Sequence, residues 1–136
     1  MSSTISTASV SNIAVPPSND SDILIEVKNL SAGYGGVPVV RDLSMHVRRG
    51  EVVALLGPNG AGKTTTLLTI SGILRPVAGT VSVLGAPVLG KPSMVARRGL
   101  AHVAEDRSLF FDLSVAENLR LGLTGERSRR KAAIRD

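Results

Sequence analysis

Eight residues constrain this chain more than any others: Gly57-Pro58-Asn59-Gly60-Ala61-Gly62-Lys63-Thr64. They satisfy the phosphate-binding pattern G-x-x-x-x-G-K-[ST] at each of its fixed positions. The pattern has a structural requirement, a buried strand that delivers the loop and a helix that leaves it. Just upstream, Val52-Val53-Ala54-Leu55-Leu56 is an unbroken apolar run without alternation, which predicts a strand covered on both faces. Downstream, Leu67, Ile70 and Leu74 recur at helical spacing, with Leu68 and Ile73 on an adjoining strip, and predict an amphipathic helix. Gly57, Gly60 and Gly62 leave the loop free to curl, so that its N–H groups converge on an anion while the helix start adds partial positive charge. A polyphosphate fits such a pocket.

Within the loop, Lys63 is placed to reach the β and γ phosphates as a point charge, and the Thr64 hydroxyl to ligate the Mg²⁺ that neutralises them. The competing reading is a Gly-rich turn that happens to contain Lys-Thr, and the two flanking elements speak against it. Thr64, Thr65 and Thr66 speak against it too, since β-branched residues are indifferent helix formers and local stability alone does not select three in a first turn.

The 136 residues suffice for one modest domain, and with 43% hydrophobic and 20% charged residues the composition is that of a folded soluble protein. Aromatics make up only 2%, so the core must be aliphatic, as between helices and a parallel sheet. Without cysteine there is neither a disulfide framework nor a thiolate metal site. No stretch approaches the roughly 20 apolar residues that cross a bilayer, so no membrane span is expected. The net charge of +5 would permit nucleic acid as a partner, but Arg127, Arg129, Arg130, Lys131 and Arg135 carry much of the excess without aromatics beside them to stack on bases. They read as a solvated helix face or linker, and nucleic acid is not expected as a partner.

In chain order, residues 1–22 are Ser-, Thr- and Asn-rich, contain Pro16-Pro17 and lack Lys and Arg, which reads as a disordered extension and not a secretory signal. Ile23 to Leu30 alternates as a first strand. Gly33-Tyr34-Gly35-Gly36 reads as a turn, followed by further strands at Val39-Val40 and at Leu43, Met45 and Val47, closed by a turn at Arg49-Gly50. This makes an antiparallel layer ahead of the loop. Tyr34, the only tyrosine, is placed either to stack on a purine or to pack on the sheet edge. After the loop helix, Thr80 to Leu84 reads as a strand ending at Gly85, and Ser93 as the cap of a short helix through Arg98 with Gly99 just past it. Leu100 to Val103 reads as a short buried strand that delivers Ala104-Glu105-Asp106-Arg107 toward the phosphate loop if the two strands are parallel neighbours. Glu105 and Asp106 are then candidate carboxylates for Mg²⁺ or its water, or else charges on a surface turn. Ser114-Val115-Ala116-Glu117 is a capping box that opens a helix carrying Leu119.

Together these residues resemble the ATP-binding cassette family, the ATPase subunits of membrane transporters. Gly57 to Thr65 looks like its Walker A loop, Tyr34 falls where the family carries an aromatic that stacks on adenine, and Glu105 falls at the Q-loop. Glu there, then Arg, a phenylalanine and a V-x-E-N-L helix start is similar to subunits serving branched-chain amino acid uptake. In this chain the block is HVAEDRSLFFDLSVAENLRLG, His102 to Gly122, with Ala104 for an expected proline and Asp106 for an expected glycine. The resemblance covers about 23–122 and implies an α/β P-loop fold with an N-terminal antiparallel β subdomain, binding ATP and Mg²⁺. Tyr34 and Gly57, Pro58, Asn59, Gly60, Ala61, Gly62, Lys63, Thr64 and Thr65 would hold nucleotide, and Thr64 and Glu105 would hold the metal. It further implies a head-to-tail dimer of cassettes, transmembrane permease subunits as partners, and a place on the cytoplasmic face of the plasma membrane.

No LSGGQ-like signature occurs; Ser71-Gly72 lies in the loop helix, and Leu109-Phe110-Phe111-Asp112 comes too early and lacks a following Glu to be a Walker B motif. Neither His46 nor His102 matches the switch histidine of the family. The chain thus resembles the N-terminal half of a cassette, with residues 123–136 opening a helical subdomain, and without a catalytic base it is expected to bind nucleotide weakly and turn over little. Val52 to Leu56 would then lie at an apolar edge that invites aggregation. Two other readings stay open. A GTPase or small kinase would share the loop, though no Asn-Lys-x-Asp guanine motif is present, and a non-catalytic fragment would use its basic tail on acidic partners.

Overall fold

A computed structural model of the chain describes residues 22–105 and 110–122. The extension expected at 1–22 and the basic tail expected at 123–136 lie outside the described residues, apart from Asp22, as do Asp106 and Arg107. The described elements are β1 (Ile23–Tyr34), β2 (Val37–Arg48), α1 (Lys63–Ile70), β3 (Ala78–Val83), β4 (Ala86–Pro87), α2 (Pro92–Arg97) and α3 (Val115–Gly122). They divide between two units, Met1–Leu100 and Ala101–Asp136.

In the first unit, a four-stranded sheet runs in the order β2-β1-β3-β4 with every neighbour antiparallel. β1 is longer than the alternation over Ile23 to Leu30 predicts. Gly33 and Tyr34 still belong to it, paired with Pro38 and Val37, so the turn shrinks to Gly35-Gly36. The expected separate strands at Val39-Val40 and Leu43 to Val47 are one continuous strand. A bulge explains both differences. Asn29 (φ 48°) and Asp42 (φ 52°) adopt left-handed backbone on the two strands, and the register shifts between Val27 and Leu30. The Asn29 side-chain amide donates to Asp42 Oδ1 at 2.8 Å, and its backbone N–H donates to Ser44 Oγ at 2.9 Å. Alternation therefore skips one residue on each strand. Val27 and Leu30 face the core together, and so do Val40 and Leu43.

β3 crosses β1 at this bulge through Gly79 (φ 80°), where a Cβ would overlap the carbonyl oxygens of Lys28 and Asn29. The core on the inner face joins Val27, Leu30, Ala32, Val40, Leu43, Val81 and Val83 of the sheet to Ile70, Val88 and Val95. Leu74 and Leu100 pack against it half-buried.

α1 meets this core with a face other than its leucines. Thr65, Thr66, Thr69 and Ile70 are buried, whereas Leu67 is 49% exposed and Ile73 is exposed as well. Burial of the threonines is possible because their hydroxyls return hydrogen bonds to the helix: Thr66 Oγ1 donates to Gly62 O at 2.9 Å and Thr69 Oγ1 to Thr65 O at 2.7 Å. Thr65 and Thr66 in the first turn are thus accounted for by packing, whereas Thr64 is exposed. α2 begins at Pro92 with Lys91 as N-cap and no side-chain cap, so Ser93 does not cap it. Pro92 opens it instead, its fixed φ suiting the first helical position. Arg98, just past the helix, donates to the carbonyls of Pro87 at 2.9 Å and Ala86 at 3.3 Å, tying α2 to β4.

Two expected strands do not form. Val52 to Leu56 makes only one isolated bridge, at Leu55, and Val52 is 91% exposed. A strand without alternation requires a neighbour on each edge and a layer on each face, and no described strand pairs along this run. Leu100 to Val103 fails likewise, with residues 101–103 exposed.

In the second unit the capping box forms as expected. Ser114 N–H and Oγ–H both donate to Glu117 Oε2, at 2.9 and 2.6 Å, and Glu117 N–H donates to Ser114 Oγ at 3.3 Å. Sequence reading missed Asn118, whose side chain donates to the carbonyls of Phe110, Leu113 and Ser114 and accepts from Phe110 N–H, closing that loop onto α3. The Ser114 hydroxyl, then its backbone N–H, hold the Glu117 carboxyl below its usual range. A depressed carboxyl stabilises the fold at pH above its ordinary titration range and loses that contribution as pH falls through the lowered value. Acidification should therefore fray the start of α3. An NMR titration should show Glu117 releasing its proton below the ordinary glutamate range, and Ser114→Ala should move it back toward that range.

Candidate functional site

The residues from Gly57 to Thr64 fold into a curl. Gly57 (φ 154°), Gly60 (φ 85°) and Gly62 (φ 87°) all take backbone angles that side chains resist, and Ala61 N–H closes a turn on Pro58 O at 3.2 Å. Residues 57–60 are exposed to solvent. The Lys63 ammonium folds back over the curl and donates to the carbonyls of Gly57 and Pro58, both at 2.7 Å. A cation thus stands at the mouth of the loop.

Gly62 is the N-cap of α1, with no side-chain cap and no acidic residue in the first turn. The first N–H groups of a helix have no intrahelical acceptor, so those of Lys63, Thr64 and Thr65 present their donors and the positive end of the helix to whatever enters the curl. Thr64 is exposed and offers its hydroxyl on the same turn. The Thr65 side chain is 5% exposed, so this residue offers an anion its main chain alone. An exposed hydroxyl beside a phosphate cradle suits Mg²⁺, a hard cation that keeps several waters and takes few protein oxygens.

Tyr34 ends β1 with its ring 53% exposed, opposite Val37. Val37 and Val39 share a face of β2 because strand side chains alternate, and Val39 Cγ1 lies 3.7 Å from where a Cβ on Gly62 would stand. β2 therefore runs from the tyrosine's register partner to the phosphate loop. Glu105 occupies an exposed turn and belongs to the second unit, whereas Thr64 belongs to the first. Among the described residues, no group of three His, Cys, Asp or Glu side chains converges on a common point. His46 Nε2 contacts the Arg48 guanidinium on β2, a structural pairing, and His102 is exposed.

A sequence profile described as "ABC transporter" matches residues 40–136. Among curated proteins, a ribose import ATP-binding protein, RbsA 1 of Streptomyces coelicolor, is 40% identical over 108 residues, which are 79% of this chain and 21% of that protein. The high-affinity branched-chain amino acid transport ATP-binding protein BraG of Pseudomonas aeruginosa is 37% identical over 100 residues, 73% of this chain and 43% of BraG. A solved structure described as the ATP binding subunit of an ABC transporter superposes with a TM-score of 0.69 at 37% identity, covering 80% of this chain and 46% of its own. The chain spans less than half the length of each. The fold is that of the α/β P-loop ATPase cassettes, here represented by the antiparallel layer, the phosphate loop and its helix.

Proposed function

Because this chain belongs to the ABC transporter family, we propose that it binds ATP with Mg²⁺ at Gly57 to Thr65, as the N-terminal part of a transporter's ATP-hydrolysing subunit. The observation that carries this reading is the curl closed by the Lys63 ammonium at an uncapped helix start. That arrangement binds a polyphosphate through main-chain donors, one mobile cation and the helix field. The chemistry that Mg²⁺ supplies when bound is charge neutralisation of the phosphates. Lys63 exchanges its two carbonyl acceptors for phosphate oxygens, Thr64 offers a hydroxyl to the metal, and the N–H groups of Lys63 to Thr65 orient the phosphates for in-line transfer to water. The Tyr34 ring, exposed at the end of β1, offers a stacking face for adenine.

The rest of the assembly belongs to the same proposal. A second cassette facing the first head to tail, and permease subunits in the membrane, would complete the machine on the cytoplasmic side, with Glu105 as a further metal contact. No described helix is long and apolar enough to cross a membrane. Residues 1–22 are proposed as an extension, 23–122 as the cassette portion and 123–136 as the start of a helical subdomain. The block from His102 to Gly122 favours branched-chain amino acids as cargo, while the S. coelicolor relative, a ribose import ATP-binding protein, speaks for ribose. Solute uptake by the complete transporter decides between them.

Calorimetric titration of the chain with ATP, GTP and adenosine, with and without Mg²⁺, tests the nucleotide reading. ATP should bind more tightly than GTP and adenosine, and more tightly with Mg²⁺. Equal affinity for ATP and adenosine would refute it.

A further inference from the structure

We propose that Val40 is a positioning residue for the phosphate loop, acting from β2 through Gly62. The inference rests on the nucleotide reading above. Val40 Cγ2 lies 2.5 Å from the point a Cβ on Gly62 would occupy, and Val40 Cβ lies 3.7 Å from it. Gly62 is itself buried, in left-handed conformation, and is the residue at which the curl becomes helix. The valine methyl thus fills the space over the Gly62 Cα and sets how far the loop can sink toward the sheet. Val40 is 7% exposed and is paired across the strands with Ala32, which is fully buried. A stiff β-branched side chain on a paired strand is a firm stop. Its position fixes where the N–H groups of Lys63 and Thr64 point.

Packing alone predicts only that shortening Val40 weakens the core. A positioning role predicts something further, that the loop settles into the vacated space and the phosphate donors lose alignment while the base end of the site does not. Misplacing a reacting group by about 1 Å costs up to about a hundredfold in rate, and by the same geometric argument removal of two methyls should cost about tenfold in ATP affinity.

The test compares Val40→Ala, Val40→Ile and Val27→Ala in the full chain, by calorimetry with MgATP and with adenosine, and by thermal unfolding. Val27 is equally core, 1% exposed on β1, and does not touch the loop's glycines. Val40→Ala should weaken MgATP about tenfold with adenosine unchanged, Val40→Ile, which keeps Cγ2, should restore it, and Val27→Ala should lower the unfolding midpoint without moving MgATP. If Val40→Ala and Val27→Ala behave alike toward MgATP, or if ATP and adenosine weaken together, the positioning role is refuted. Should wild type bind MgATP no better than adenosine, the nucleotide reading fails and this inference with it, whereas a normal wild type with an unaffected Val40→Ala refutes this inference alone.

Discussion

Replacement of Lys63 by alanine is expected to weaken MgATP binding by roughly 10- to 100-fold, because it removes charge-assisted hydrogen bonds of about 1.5–3 kcal/mol. The ammonium holds two loop carbonyls at 2.7 Å in this structure. Its removal therefore has two consequences: the entering phosphates lose their cation, and the curl loses the strap that joins its first residues to the helix. Lys63→Arg should not rescue binding, since a planar, longer guanidinium cannot stand as a point charge in so small a curl. Adenosine, which carries no phosphate, should bind Lys63→Ala as it binds wild type. Calorimetry with both ligands checks this, and undiminished MgATP affinity in Lys63→Ala would remove the basis of the nucleotide reading.

A large loss of stability is expected at Gly79. Alanine there would take a left-handed angle (φ 80°) and push its methyl into the carbonyl oxygens of Lys28 and Asn29. Backbone strain costs about 1–3 kcal/mol and overpacking about as much again, so Gly79→Ala should destabilise the sheet by about 2–6 kcal/mol. Gly85 separates the two contributions. It has φ 73° but open space around its Cα, so Gly85→Ala should cost only about 1–2 kcal/mol. Urea unfolding followed by circular dichroism should rank wild type, Gly85→Ala and Gly79→Ala in that order. Equal midpoints for the two variants would show that the close crossing at the bulge carries no energetic weight.

The sequence was most legible where one short pattern sets its own geometry. The phosphate loop, the start of the helix after it and the Ser114–Glu117 box are local, their partners lying within a few residues, and each forms where its residues predict it, although the helix ends at Ile70 and does not include Ser71-Gly72 or reach Leu74. Legibility failed where a remote partner decides. Val52 to Leu56 has the residues of a buried strand, yet a strand exists only with something to pair with, and a run of side chains says nothing of that. Thr64, Thr65 and Thr66 looked like a functional excess on a leucine-faced helix, yet Thr65 and Thr66 are buried together with Thr69. The small hydroxylated face is the one that fits the sheet, because self-bonded threonines pack closely at little cost in unmet polarity. Val40 forms an intermediate case. Its strand was evident, but its closeness to the loop depends on the register of a bulged pair, and apolar alternation cannot be counted across a residue that is skipped; Tyr34, expected in a turn, instead ends β1.

That skipped residue also governs how the hairpin can change in length. Asn29 and Asp42 each take up one position without pointing a side chain at the core. Deleting either alone would leave one strand out of step, turning the aliphatic residues beyond it to the solvent side. Deleting both at once would bring Val27 and Leu30, and likewise Val40 and Leu43, to a spacing of two, with the interior unaltered and the ribbon straightened. Length variation in this part of the molecule should therefore arise in matched couples, one residue from each arm, and solitary gains or losses should be confined to the Gly35-Gly36 tip.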